Sequence, residues 1–246
     1  MTELRTIAEE FGLIIVEDAA HAFPVRSDDG RWTGTSGKTG VYSFYATKTI
    51  TTGEGGMVVT DDDRIAARIR TMRLHGIDRS IWDRYTSSRA QWGYSVVEAG
   101  YKYNLTDLAA AIGRVQLKKA GAFLTRRKKI AAAYTRVFRG IPELEIPTSQ
   151  GEHAWHLYIL RLSHGSRVSR DRLIESLRQQ GIGTSVHYIP LHLMPYYRDR
   201  YSFTPENFPN ALDSYSRCLS LPIYPKMGDS QVDRVIRAVE NGLKAE

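Results

Sequence analysis

Apolar residues recur with two different spacings in the first part of the chain. Residues 2–11 repeat apolar positions at helical spacing, and Gly12 follows as a helix stop. The continuous apolar run at 13–16 predicts a short buried strand, and the runs at 41–45 and 57–60 predict two more. A helix followed directly by a buried strand is half of an α/β unit. The pattern therefore predicts an α/β fold with a parallel sheet.

Helical spacing returns after the third predicted strand, first in a short basic segment. Thr106 is then placed to cap a helix whose core face is predicted to be Leu108, Ile112 and Val115. A separate helix is predicted from about 123 to 138, where a glycine follows two residues later.

The second half of the chain mixes strands and helices. Alternating residues at 155–162 and a branched run at 184–188 predict strands, and 169–180 predicts a capped helix. A Pro-, Tyr- and Arg-rich stretch at 190–210 predicts a loop, and Ser230 is expected to cap a last amphipathic helix.

This organisation predicts two domains. Residues 1–125 are expected to form part of a large α/β domain, and residues 126–246 a smaller α+β domain. Residues 78–100 have no clear period and contain four aromatic residues, so a long ordered loop of functional interest is expected there.

Composition narrows the functional classes. The 246 residues contain 34 basic and 27 acidic side chains, a net charge of +7 that favours anionic partners such as phosphorylated small molecules. The run at 126–129 is interpreted as a solvated helix face, and no nucleic-acid-binding signature accompanies it, so no nucleic-acid partner is expected. No apolar run approaches the ~20 residues of a membrane helix. A single cysteine, Cys218, fits the reducing cytoplasm.

Two strand ends carry the candidate chemistry. Asp18 follows the first strand, and Ser43 and Lys48 follow the second, so the three could converge on one ligand at the sheet edge. An amine near a carboxylate suits carbonyl chemistry, and a pyridine cofactor needs a lysine and an acid at its ring nitrogen. Taken singly, a strand-end acid is also a common helix cap, and a lone lysine is usually solvated.

At these residues the sequence resembles the DegT/DnrJ/EryC1/StrS sugar aminotransferases, which depend on pyridoxal phosphate (PLP). Within this family, the segments GYKYNLTD and HAWHLYIL look closest to those of the branch that forms UDP-4-amino-4-deoxyarabinose, although related branches share them. The matching segments, in the family's order, are VEDAAHA (16–22), SFYATKTITTGEGGMVVTDD (43–62), RLHGI (73–77), GYKYNLTDLAAAIGRVQL (100–117), HAWHLYILRL (153–162), GIGTSVHY (181–188) and SLPIYPKM (220–227).

The resemblance implies roles for the residues at the strand ends. Lys48 would attach PLP covalently and later move the proton of the substrate carbon, and Asp18 would keep the pyridine nitrogen protonated. His21 would lie near the cofactor ring, and Ser43 would hydrogen-bond its phosphate.

The resemblance also implies cofactor and substrate residues elsewhere. Lys102 and Asn104 would reach the phosphate region of a partner subunit's site, although many relatives have Asn and Arg there. His187, Tyr188 and His192 would line the substrate side, while packing at a domain interface is an equal alternative for each. No metal site is expected, because His153 and His156 open a predicted strand rather than share a helix face, and no cysteine or acid completes a ligand set with them.

The implied fold is that of the type I, aspartate aminotransferase-like PLP transferases, with an incomplete large domain, since the family's N-terminal third has no counterpart here. The implied reaction moves an amino group from an L-amino acid, glutamate being expected, to a nucleotide-linked keto-sugar. The chain would act as a homodimer or with an N-terminal companion chain. The alternative is a non-catalytic subunit or remnant that lends residues across an interface. The dehydratase branch of the fold has His in place of the lysine, so Lys48 argues against it.

Overall fold

The computed structural model describes residues 1–78, 93–149 and 151–244, which form two compact units, Met1–Gly121 and Ala122–Glu246. In the first unit, a helix precedes a three-stranded sheet whose central strand is the second along the chain, and another helix follows the sheet. The bounds are α1 Thr2–Glu10, β1 Val16–Asp18, β2 Thr39–Ser43, β3 Gly56–Val59 and α2 Asp63–Met72.

The sheet is mixed, whereas the apolar runs predicted a parallel one. β1 pairs with β2 in parallel, but β3 pairs with β2 antiparallel. The segment at 44–55 connects β2 to its neighbour β3 without an intervening helix or strand, as in a hairpin, and strands connected in this way are antiparallel. The first strand also lies later than predicted, because only Val16, Glu17 and Asp18 find ladder partners in β2.

Helix α3, Asp107–Phe138, is one helix of 32 residues where two were predicted. It begins in the first unit and ends in the second. The predicted core face is wrong for the protein as described: Leu108 is 81% exposed, and Ile112 and Val115 are each about half exposed. Helical periodicity identifies an apolar face, but it does not say what covers that face.

The second unit is an antiparallel sheet packed with helices. Its strands are β4 Leu144–Glu145, β5 Tyr158–Leu162 and β6 Cys218–Leu221, with β5 in the centre. Tyr134, Tyr158 and Leu219 are fully buried in its core, together with residues of the last helix. Its helices are α4 Arg170–Gln179, α5 Pro195–Tyr201, α6 Pro209–Arg217 and α7 Asp229–Lys244, with two short 3₁₀ helices at Leu191–Leu193 and Pro205–Asn207.

Three predictions for the second unit need correction. The strand expected at 184–188 is reduced to a single bridge between Ser185 and Ser220. The loop expected at 190–210 contains helical turns, and the prolines at 195, 205 and 209 each occupy the first position of a helix. The last helix begins at Asp229, so Ser230 lies inside it. The capped helix α4 is confirmed, since the Ser169 hydroxyl accepts a hydrogen bond from the Arg172 amide.

The basic run at 126–129 is not a solvated face throughout. Arg126 and Lys129 both pair with Asp229, and Lys128 pairs with Glu152 at 3.1 Å. Arg127, however, is only 4% exposed.

The Arg127 guanidinium donates hydrogen bonds to three backbone carbonyls, those of Trp155, His156 and Ile223, at 2.9 to 3.3 Å. Burial lowers its pKa to about 10, so it is still charged at neutral pH. One buried cation therefore joins the segments before β5 and after β6.

Residues 79–92 of the predicted long loop lie outside the described residues. Within the described residues, no helix combines the length and the apolarity that crossing a bilayer requires.

Replacing Arg127 with methionine is expected to lower the free energy of unfolding by about 3 kcal/mol, because three buried carbonyls lose a charged donor. The neighbouring Lys128→Met variant is the matched control. It loses only an exposed ion pair, so its cost should be under about 1 kcal/mol. Urea unfolding of both variants measures the difference, and equal costs would show that the burial of Arg127 has no special weight.

A second charged cluster lies beside β5 in the same unit. Asp213 pairs with Arg217 at 2.6 Å and with His164 at 2.9 Å, and Arg217 also reaches Glu145 at 2.7 Å. The hydrogen bond from Arg217, assisted by His164, lowers the pKa of Asp213 to about 2.

The Asp213 pair should contribute stability that depends on pH. The pKa of Asp213 is lower in the folded state than its usual value of 3.8. The stabilisation from its ionised carboxylate is therefore present above pH about 4 and is lost as the pH falls toward about 2. The difference in unfolding free energy between wild type and Asp213→Asn should shrink across that window. A difference that stays constant over the window would show that the pairing is not formed in solution.

Candidate functional site

The two parallel strands of the first unit end at the same edge of the sheet. Asp18 is the last residue of β1 and lies opposite Val41 of β2, and Ser43 ends β2 two residues further along. Residues two apart on a strand share a face, so Asp18 and Ser43 lie on one face of the sheet. Strand spacing and rise place their Cα atoms about 8 Å apart.

Asp18 is exposed on that face. Its Oδ1 accepts a hydrogen bond from the Ala20 amide at 3.1 Å, which turns the chain away from the sheet. No cation among the described residues pairs with its carboxylate. The two residues that follow, Ala19 and Ala20, have small side chains and leave room in front of the carboxylate.

Lys48 lies in the turn that connects β2 to β3. Its amide donates to the Tyr45 carbonyl at 3.0 Å, which folds the chain back just after Ser43. Its side chain is half-buried, and within the described residues Nζ forms neither a hydrogen bond nor an ion pair. The ammonium is therefore available to a ligand.

The rest of that turn is held tightly against the end of β2. The Phe44 carbonyl accepts from the Thr52 amide and from the Thr51 hydroxyl, both at 3.0 Å, and the Phe44 amide donates to Gly55 at 2.8 Å. Gly55 has a φ of +150°, and a Cβ there would lie 2.5 Å from the Thr52 hydroxyl. The turn thus needs glycine at this position, and its backbone is fixed on both sides of Lys48.

The other candidate residues of the first unit are exposed. His21 follows Asp18 by three residues, and Lys102 and Asn104 lie in the segment before α3. That segment is held by its backbone, because the amides of Tyr101 and Tyr103 donate to Met72 and Arg73. The structure therefore presents Lys102 and Asn104 from a fixed support.

The second unit carries the three candidates for the substrate side, in two different environments. His187 Nδ1 lies 2.9 Å from the Ser220 hydroxyl, and its ring meets the ring of Tyr188 edge-on. Tyr188 is 71% exposed. His192 is 6% exposed and packs against Phe208, so its side chain belongs to the packed interior of this unit.

Comparison with known proteins decides the family. Residues 1–240 match the DegT/DnrJ/EryC1/StrS aminotransferase family. The chain belongs to this family. The resemblance found in the sequence motifs is thereby confirmed.

Individual members of the family agree with this assignment. The chain is 44% identical over 248 residues to the spore coat polysaccharide biosynthesis protein SpsC of Bacillus subtilis, with 99% of the chain and 63% of SpsC covered. Among solved structures, Helicobacter pylori PseC, an aminotransferase involved in the biosynthesis of pseudoaminic acid, aligns with a TM-score of 0.87. The identity is 26%, and 98% of the chain and 62% of PseC are covered.

Spr1654 from Streptococcus pneumoniae, in its PMP form, aligns with a TM-score of 0.85 and 30% identity. This alignment covers 97% of the chain and 61% of Spr1654. The chain thus spans about three-fifths of the length of the relatives it matches. The predicted α/β fold of the PLP-dependent transferase class is confirmed by these likenesses.

The donor set on the sheet edge fits PLP. Among the residues that the structure describes, no cation pairs with the Asp18 carboxylate and Lys48 Nζ has no partner. With the Ser43 hydroxyl on the same face as Asp18, these are the groups that this cofactor requires. Within the described residues, no group of three or more His, Cys, Asp or Glu side chains is arranged to hold a metal ion.

Glu17 and Asp18 are adjacent acids in the sequence, but as consecutive residues of β1 they point to opposite faces of the sheet. Glu17 points to the opposite face, where its carboxylate accepts hydrogen bonds from the amides of Gly34, Ser36 and Gly37. Strict alternation along β1 would have predicted this separation. The glycines at 34, 37 and 40 were a further signal, since they let a loop approach the strand closely.

Proposed function

We propose that this chain carries the lysine and the carboxylate of a PLP-dependent aminotransferase that acts on a nucleotide-linked keto-sugar, with glutamate as amino donor. The observation that supports this is the placement of Asp18 and Ser43 on one face of the β1–β2 edge, with Lys48 in the segment that follows β2. In this proposal the first unit is the remainder of the cofactor-binding domain and the second unit is the small domain.

When bound, PLP supplies an electron sink and a carrier for the amino group. Lys48 would hold the cofactor through Nζ and, once released, would move the proton at the reacting carbon. Asp18 would hold the proton on the ring nitrogen, and the Ser43 hydroxyl would donate to the phosphate. His21 would lie near the ring. The tight hydrogen bonds around the turn fix the Lys48 backbone for these tasks.

The substrate class rests on the relatives and on charge. SpsC is named for polysaccharide biosynthesis and PseC for pseudoaminic acid biosynthesis, so a sugar is the proposed acceptor. A net charge of +7 suits a substrate with a diphosphate. The arabinose-forming branch is the proposed relative, because of the GYKYNLTD segment. His187 and Tyr188 are proposed on the substrate side. His192, which was expected there too, is buried against Phe208 and is not proposed to contact the substrate.

A homodimer is the proposed assembly. Lys102 and Asn104 would bind the cofactor phosphate in the partner subunit's site, since they are exposed yet held by a fixed backbone. An ammonium at Lys102 is suited to a phosphate as a point charge.

Lys48→Ala should abolish covalent PLP binding, because Lys48 is the amine that the described strand ends place next to Asp18 and Ser43. PLP added to the wild-type chain should give a visible absorbance band, and borohydride reduction should fix the cofactor on Lys48 for mass analysis. Lys118→Ala, an exposed lysine on α3, is the matched control and should keep the band.

A companion chain that supplies the part of the relatives not covered here should be tested as well. A wild-type chain that gives no band with PLP, either alone or mixed with such a companion, would contradict the proposed activity. That result would favour the alternative of a non-catalytic subunit that lends residues across an interface.

Mixing two inactive variants tests the shared site. If each site combines Lys48 of one subunit with Lys102 of the other, Lys48→Ala and Lys102→Ala homodimers should both be impaired. Random exchange of subunits should then restore about one quarter of the wild-type activity, because half of the dimers regain one intact site. Exchange of the subunits is verified independently. If the exchanged mixture then recovers no activity, Lys102 belongs to the site of its own subunit.

A further inference from the structure

Glu17 is the most heavily hydrogen-bonded carboxylate beside the candidate site. One oxygen, Oε1, accepts from the amides of Ser36 and Gly37 at 2.5 and 2.6 Å, and Oε2 accepts from the amide of Gly34 at 2.7 Å. Hydrogen bonds from amides to a carboxylate are short and about twice as strong as neutral ones. Glu17 lies on the face of β1 opposite to Asp18, so it touches none of the groups proposed to bind PLP.

The loop that Glu17 holds is seated directly on the two strands. A Cβ at Gly37 would lie 2.7 Å from the Ile15 carbonyl, and one at Gly40 would lie 1.8 Å from the Gly34 carbonyl. On the same face, the buried Tyr42 of β2 donates its hydroxyl to the Thr33 carbonyl at 2.6 Å. The loop, β1 and β2 are thus fixed to one another on this side of the sheet.

The β1–β2 ladder is too short to secure its own register. Only three residue pairs form it, ending with Asp18 opposite Val41. A shift of one residue would turn the Asp18 side chain to the other face of the sheet, away from Ser43 and Lys48. The bonds of Glu17 are lost by the same shift, because the shift carries its carboxylate away from the loop amides.

We propose that Glu17 is a positioning residue for the cofactor carboxylate: by binding the loop amides at 34–37 it fixes the register of β1 on β2, and this keeps Asp18 on the face that carries Ser43 and Lys48. The assignment rests on the proposed function, since it concerns the acid at the PLP ring nitrogen. Glu17 acts only through Asp18, because Ser43 and Lys48 both lie on the β2 side of the ladder.

A double-mutant cycle separates this role from simple structural support. In Glu17→Gln, the remaining oxygen can still accept the hydrogen bonds from the Ser36 and Gly37 amides. The new side-chain NH₂ group faces the Gly34 amide, and because both groups are donors, that hydrogen bond is lost. The variant should weaken PLP binding about 10-fold when Asp18 is present, and hardly at all in the Asp18→Asn background. Glu9→Gln, which removes the same charge from an exposed position on α1, is the control and should bind PLP like the wild type.

The cofactor-free protein gives a second readout. The Ala19 amide donates to the Val41 carbonyl at 2.9 Å, just beyond Asp18, and so reports the register of the ladder. Its hydrogen exchange should be accelerated in Glu17→Gln and unchanged in the Glu9→Gln control. If Glu17→Gln does not fold, Glu17→Asp serves instead, because it keeps the charge but its shorter side chain retracts from the loop amides.

The possible failures are distinguishable. A wild-type protein that gives no PLP band, either alone or mixed with the companion chain, overturns the proposed function and this assignment with it. A wild-type band, together with an equal loss of PLP affinity from Glu17→Gln in both backgrounds, overturns the positioning role alone. Unchanged exchange at Ala19 does the same, since the register would then not depend on Glu17.

Discussion

The parallel pairing of β1 with β2 is the constraint on which the rest of the candidate site depends. Parallel strands end at the same edge, so a carboxylate and a hydroxyl 25 residues apart in sequence lie on one face of one sheet. Because this ladder has only three residue pairs, the face that Asp18 occupies is decided by whatever holds the strands in register. The loop at 34–37 does this from the other side of the sheet, through the carboxylate of Glu17.

The sequence was sufficient to predict that Asp18 and Ser43 follow neighbouring strands at one sheet edge, because this placement depends on local order along the chain. An apolar run followed by Asp18, and another followed by Ser43 and Lys48, predicts convergence at a sheet edge without any long-range information. The bounds of β1 could not be obtained in this way. Leu13 and Ile14 are as apolar as any strand residue, yet they are exposed. They lie outside β1 because a strand needs a hydrogen-bonded partner, and β2 pairs with this segment only from Val16 onward.

The buried and exposed positions were harder to predict than the elements. Arg127 lies in a run of four basic residues, and only the three carbonyls that converge on it explain why one of the four is buried. Leu108 on α3 is the opposite case. Its apolar neighbours recur at the helical spacing typical of a buried face, yet this face is exposed. Both cases show that side-chain type predicts what a position can do, while the packing partners decide what it does.

The exposed apolar face and the proposed cross-subunit residues belong to one stretch of chain. Tyr101 and Tyr103 stack on each other with ring centroids 4.9 Å apart and remain exposed, and they flank Lys102. The contact between Lys102 and a phosphate in the partner subunit's site contributes little free energy of association by itself, because both charged groups are already solvated in water. Burial of the neighbouring aromatic and aliphatic side chains supplies the larger free energy. The backbone bonds that already hold this segment reduce the entropy lost on association. In the proposed dimer, the apolar surface therefore drives association, and Lys102 contributes the chemistry.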